Sequence, residues 1–226
     1  MNLPTPIHDW NQTPAAAIQL QRQLAARIIE SPLPRAARLA AGGDVAFNSE
    51  GDRLIAAWVV WDIAAHTIVE TAFAHQNVTF PYVPGLLSFR EAPALIEAAR
   101  LLSREPDVFI LDGHGKSHPR RFGLACHVGL FLDRPAIGCA KSRLCGQHRE
   151  PGSRAGGSCR LVVDGETLGR VVRTREGAKP IYISIGHRMV LANAVSVTRR
   201  CCMGYRMPEP TRQAHLLVTR LRTELF

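Results

Sequence analysis

The sequence predicts an α/β fold, a mixed β-sheet flanked by helices on both faces. Three observations carry this. Leu54 to Trp61 is a nearly continuous apolar run, which marks a strand covered on both sides. The first strands follow one another as a meander, with no helical segment between them. From residue 80 onward, short apolar runs alternate with segments of helical period, the pattern of a sheet with helices packed against it. A chain of 226 residues, 46% hydrophobic and 21% charged, can bury a core of its own, and a single domain spanning 1–226 is expected.

The elements follow in order. Thr13-Pro14 starts a helix, with a hydroxyl cap and proline at the first helical position. Ala17, Leu20, Leu24 and Ile28 mark its inner face, and Pro32 and Pro34 end it. Strands are expected at 40–47, 54–61 and 67–73. A turn rich in proline and glycine (80–87) then leads into a helix from about Pro93 to Ser103. DVFILD (107–112) reads as a buried strand ending in a carboxylate, followed by a Gly/His-rich loop and a helix through 122–132. AIGCA (136–140) is a strand that delivers Lys141 at its end. Residues 160–175 read as a hairpin around Asp164-Gly165, and 181–185 as one more strand. Helices at 188–203, stopped by Gly204, and at 210–222 complete the series.

Lys and Arg number 28 against 19 Asp and Glu, a formal charge of +9. Such a chain attracts phosphate backbones through counterion release, which nominates nucleic acid as partner without naming a reaction. No apolar run approaches the ~20 residues a membrane helix requires. The N-terminus (MNLPTPIHDW) has neither a basic nor an apolar leader region, so a cytoplasmic protein with reduced thiols is expected. Cys139, Cys145, His148 and Cys159 could be read as zinc ligands, but they lack the paired C-x2-C knuckle of a structural site.

Three acids stand where a charge is costly. Asp112 ends the most hydrophobic strand, Asp44 lies within an apolar strand pattern, and Glu91 follows Phe89-Arg90 where a turn becomes a helix. Carboxylates from separated segments can hold a hard cation such as Mg2+ for phosphodiester hydrolysis. Asp52, Asp62, Glu70, Asp107 and Asp133 remain open alternatives on spacing alone.

Five segments decide among them by resemblance: FPYVPGLLSFREAP (80–93), VFILDGHGKSHPRRFGLACHVGLF (108–131), PAIGCAKSRL (135–144), REGAKPIYISIGHRM (175–189) and PEPTRQAH (208–215). Together they resemble the endonuclease V family, nearly end to end. The resemblance implies a ribonuclease-H-like fold and a metal-dependent nuclease. It makes Asp44, Glu91 and Asp112 the metal-binding carboxylates, for Mg2+ with Mn2+ able to substitute. Asp44 stands in AAGGDVAF, where the family usually has a bulkier residue before the aspartate. His215 resembles the family's active-site histidine, expected to orient a water, and Lys141 the lysine that contacts the phosphate near the scissile bond. His118 and Arg120 are expected to face the nucleic-acid backbone or the metal shell, and Arg90 to contact DNA. No role is assigned to His114 or Lys116.

Pro81, Tyr82, Val83 and Pro84 resemble the family's wedge, a flat ring between stiffening prolines that fills the gap left by an extruded base. The resemblance places a base pocket at the main chain of Leu87, Gly113 and Gly115, with Leu124 against the base. Hypoxanthine accepts at O6 and donates at N1, the reverse of adenine, so fixed donors and acceptors can tell them apart. The expected activity is nicking of DNA at the second phosphodiester 3′ to deoxyinosine, by a monomer that starts DNA repair. Cleavage at inosine in RNA is the alternative with the same chemistry. A non-catalytic binder of distorted nucleic acid is the alternative from another class.

Overall fold

The computed structural model describes residue 1 and residues 3–226. Its strands are β1 (Leu39–Phe47), β2 (Arg53–Asp62), β3 (Thr67–Asn77), β4 (Val108–Leu111), β5 (Ala136–Ala140), β6 (Ser158–Val163), β7 (Glu166–Val172) and β8 (Ile181–Ile185). They form one sheet in the order β3-β2-β1-β4-β5-β8-β7-β6. The β1-β2-β3 meander is antiparallel, whereas β4 lies parallel to β1 and to β5. β8 then pairs antiparallel with both β5 and β7. This is the mixed, ribonuclease-H-like sheet the sequence predicts. β2 is buried from Leu54 to Asp62, as its unbroken apolar run requires.

Helices cover both faces. α2 (Leu87–Arg100) and α3 (Leu124–Leu132) seat Leu95, Ala99, Val128 and Phe131 on Trp58, Phe109 and Leu111. On the opposite face, α4 (Leu191–Arg200) packs Ala194 and Val197 on Ile110, Ile137 and Ile183. α5 (Glu209–Leu225) packs Val218 and Leu221 on Ile55 and Ala57. Each large apolar side chain buried this way contributes roughly 1.5–3 kcal/mol. That central layer is what can hold several acids at the sheet's edge.

Two helix boundaries differ most from the sequence reading. The second helix begins at Leu87, so Pro93 lies inside it. Proline removes one helical hydrogen bond, but Ala92, Ala94, Leu95, Ile96, Ala98 and Ala99 are all buried around it, and packing outweighs that loss. α1 (Pro14–Ala25) stops well before Pro32, and its buried residues are Ala17, Gln21 and Leu24. The hairpin turn falls where expected, with Asp164 and Gly165 both at positive φ.

Candidate active site

Parallel pairing of β1 with β4 sets Gly43 opposite Leu111, so the next residues, Asp44 and Asp112, emerge side by side. The Asp112 N–H donates to the Gly43 carbonyl at 3.4 Å. Glu91, in the second turn of α2, is the third acid. It is largely buried, and its carboxyl is pushed up to about 8 by burial and by the charges of Asp44 and Asp112. Asp44 is raised as well, first by burial and then by Asp112, with the His215 hydrogen bond pulling the other way. Mutual repulsion of this kind places the three carboxylates in one electrostatic cluster.

The competing acids are spent elsewhere. Asp62 accepts from the Ala64 and Ala65 N–H groups, Asp107 from Arg38 and Leu39, and Glu70 from Ser103 and Arg104. Asp133 pairs with Arg188, and Asp52 accepts from Asn48. All five cap local backbone or side chains; only the first three converge.

Two basic side chains complete the cluster. Lys141 Nζ lies 2.5 Å from Asp112 Oδ2. Burial alone would lower its pKa, but the hydrogen bond and charge of Asp112 outweigh this and raise it. Arg206 holds the chain at this point by donating to the Lys141, Lys179 and Pro180 carbonyls. His215, on α5, donates through Nδ1 to Asp44 Oδ2 at 2.8 Å and is more than half exposed.

The glycine pair before Asp44 makes this geometry possible. A Cβ on Gly42 would sit 2.0 Å from the Pro210 carbonyl carbon, so α5 can approach β1 only over glycine. A Cβ on Gly43 would lie 2.5 Å from the Trp58 ring. Trp58 therefore fills the space that a bulkier residue before the aspartate would take.

The donor set is oxygen-rich and suits a hard divalent cation. Among the described residues, no three His, Cys, Asp or Glu side chains already stand as a ready-made metal group. Asp44 and Asp112 instead lean on His215 and Lys141.

Beside the acids lies a cavity of about 270 Å³. The expected wedge (Pro81, Tyr82, Val83 and Pro84) and the expected pocket residues Leu87, Gly113 and Leu124 all line it. Tyr82 is 75% exposed, so packing gives no reason for its ring. No side chain caps the N-terminus of α2, whose first turn borders the cavity with free N–H donors.

Four expected contacts are corrected. Gly115 is not part of the pocket: its N–H donates to Ser184 Oγ at 2.9 Å and its carbonyl accepts from Gly123. A Cβ there would meet the Ile185 carbonyl oxygen at 1.9 Å, so this glycine serves close packing of the loop on β8. His118 and Arg120 turn inward rather than toward phosphate, and both donate to the Gly85 carbonyl, at 3.1 and 2.7 Å. Burial, then the nearby Arg120 charge, lowers His118 to about 4, so it acts as a neutral donor. Gln21 adds a third donor to the same carbonyl, and together the three clamp the base of the wedge loop. Arg90 is likewise engaged, donating to the Gly51 and Phe80 carbonyls and stacking over Phe47.

Gln21, Ser88, Ser142, Arg143 and Leu144 line the cavity without having been singled out in the sequence. Gln21 alone left a trace, as a polar residue on the buried face of α1. His114 joins them, bonding Ser117 and the Ser142 carbonyl and so tying the loop after β4 to the one after β5.

An α/β sheet with clustered acids at a strand edge, a lysine and histidine on them, and an adjoining cavity under an exposed aromatic loop defines a phosphodiester-processing class of site. The family model described as Endonuclease V matches residues 22–216. Endonuclease V of Gloeobacter violaceus is 48% identical over 212 residues, covering 92% of this chain and 86% of that protein. The Streptomyces avermitilis Endonuclease V structure superposes with TM-score 0.90 at 40% identity, covering 95% of each chain. Ciona intestinalis Endonuclease V, solved with a 23mer DNA containing an inosine followed by a ribo-adenosine, gives TM-score 0.84 at 26% identity and covers 94% of this chain and 98% of its own. The chain belongs to the endonuclease V family. Among the described residues, no helix is long and apolar enough to cross a membrane.

Proposed function

We propose that this chain, acting as one catalytic domain, is a metal-dependent endonuclease that nicks DNA at the second phosphodiester 3′ to deoxyinosine. The observation that carries the reading is the adjacency of two sites. Asp44, Glu91 and Asp112 cluster with Lys141 and His215, directly beside the cavity headed by Tyr82. Membership of the endonuclease V family supports it, as does the Ciona relative, which is solved on inosine-containing DNA.

Asp44, Glu91 and Asp112 would hold Mg2+, with Mn2+ as substitute, and the ion would supply charge neutralisation and Lewis acidity at the scissile phosphate. Lys141, already poised on Asp112, swings its ammonium to a phosphate oxygen and stabilises charge that builds there. His215, oriented through Nδ1 by Asp44, presents Nε2 outward to position the attacking water. Tyr82 occupies the gap in the stack while the extruded base enters the cavity.

The deciding experiment incubates a duplex carrying one deoxyinosine with the protein, with Mg2+ or with chelator, and maps the break on a sequencing gel. A Mg2+-dependent nick one nucleotide beyond the lesion, with 3′-hydroxyl and 5′-phosphate ends, is expected. Retention of the duplex without any break would leave a lesion binder instead. A matched inosine RNA strand in parallel decides the preferred sugar.

A further inference from the structure

A chain of hydrogen bonds runs from the N-terminal segment into the base cavity. His8 Nδ1 is 2.8 Å from the Asp9 carbonyl, and His8 Nε2 is 2.7 Å from His127 Nε2. His127 Nδ1 is in turn 2.9 Å from Ser88 Oγ. Ser88 lies in the first turn of α2 and lines the cavity. The rings are enclosed by aromatic neighbours: Trp10 against both, Phe131 against His8, and Phe89 and Phe122 against His127. Burial lowers the pKa of both, His127 furthest, so both imidazoles are neutral near pH 7.

Two neutral imidazoles carry one N–H each, and this fixes every proton in the chain. A carbonyl accepts only, so His8 spends its proton on Asp9 through Nδ1. His8 Nε2 must then accept, and His127 must donate from Nε2. His127 Nδ1 is left as an acceptor, and the Ser88 hydroxyl donates to it. With its proton spent on His127, the oxygen of Ser88, a residue only 2% exposed, has lone pairs alone left to offer.

We infer that Ser88, its hydroxyl polarised by His127 and His8, is a specificity-determining residue that accepts the N1–H of hypoxanthine in this cavity. The inference rests on the proposed inosine function. The free N–H groups of the α2 first turn lie beside it to donate to O6. Adenine presents the opposite pair, an amino donor and a bare N1, and would set two lone pairs face to face. Guanine shares N1–H and O6 with hypoxanthine, so this device separates hypoxanthine from adenine and not from guanine.

The test has two parts. Nitrogen-15 NMR of the histidine rings near pH 7 should show His127 protonated on Nε2; a proton on Nδ1 would overturn the inference whatever the activity. Cleavage and binding of oligonucleotides carrying hypoxanthine, adenine or guanine should then be compared for wild type, Ser88→Ala and Ser88→Thr. Ser88→Ala should lower the hypoxanthine-to-adenine ratio about 10-fold, the cost of one unpaired buried polar group, with the hypoxanthine-to-guanine ratio little changed. Ser88→Thr, which keeps the hydroxyl, should restore most of the loss. An unchanged adenine ratio in Ser88→Ala would sink the inference while leaving the nuclease reading intact. Wild type that ignores inosine altogether would sink that reading, and with it this one.

Discussion

Replacing Glu91 by glutamine removes an ionisable group from the most crowded acidic position in the fold. Its carboxyl titrates at about 8 in the folded chain against 4.5 ordinarily, through burial and then the charges of Asp44 and Asp112. An acid whose folded pKa lies above its unfolded one subtracts stability as pH climbs past the unfolded value, and the loss levels off above the folded one. At 1.36 kcal/mol per pKa unit, wild type without metal loses about 4 kcal/mol at pH 8 but only about 1 at pH 5. Glu91 keeps a little solvent contact, which screens part of this, so a difference of about 2–4 kcal/mol at pH 8 is expected. The assay is urea unfolding in chelator at both pH values. Glu91→Gln should be clearly the more stable protein at pH 8 and nearly level with wild type at pH 5. A stability difference that does not change with pH would refute the electrostatic account of the cluster. Added Mg2+ should stabilise wild type at pH 8 far more than the glutamine variant.

Other perturbations address the remaining parts. Asp112→Ala should cut nicking by at least about 10³-fold while deoxyinosine binding, measured by gel shift, survives; normal turnover would remove Asp112 from the chemistry. Tyr82→Ala should lower selectivity for inosine over adenine in cleavage assays, yet shift stability by no more than about 0.5 kcal/mol, since the ring is exposed. Gly42→Ala puts a methyl where the Pro210 carbonyl carbon is 2.0 Å away, so α5 must move. A displacement near 1 Å at His215 should cost about 100-fold in kcat with the fold retained by circular dichroism. DNA affinity should fall steeply between low and high salt, and a flat titration would remove the phosphate contacts inferred from the +9 charge.

Much of the fold was legible because burial writes itself into local pattern. The β2 run from Leu54 and the β4 run from Val108 had to be interior strands, and Asp164-Gly165 had to turn a hairpin. The helix at Leu87 was misread because Pro93 is a local signal for a helix start, while the burial of Ala92, Leu95 and Ile96 that overrides it is a property of the assembled core. The three acids were named through family resemblance; periodicity left five rivals standing. What separated them was which carboxylates find backbone N–H groups or neighbouring side chains to accept from, a fact of three-dimensional neighbourhood. The inward hydrogen bonds of His118, Arg120 and Arg90 were hidden for the same reason. A cation beside a catalytic loop reads identically whether it reaches outward to phosphate or inward to the Gly85 and Gly51 carbonyls.

The inward turn of those cations changes how the two halves of the site are coupled. Gln21, His118 and Arg120 converge on one carbonyl, Gly85, whose φ of +79° already favours glycine. Two residues later α2 begins, with Leu87 at the cavity, and Glu91 follows one turn on. At 1.5 Å of rise per residue, the base cavity and the third carboxylate are about 6 Å apart along one rigid helix. A clamp on Gly85 therefore fixes the wedge, the cavity floor and Glu91 as a unit, while the other two acids come from the sheet. In the function proposed above, lesion reading and bond breaking would then share a ruler, and a cut displaced by a set distance from the base is what such a ruler would produce.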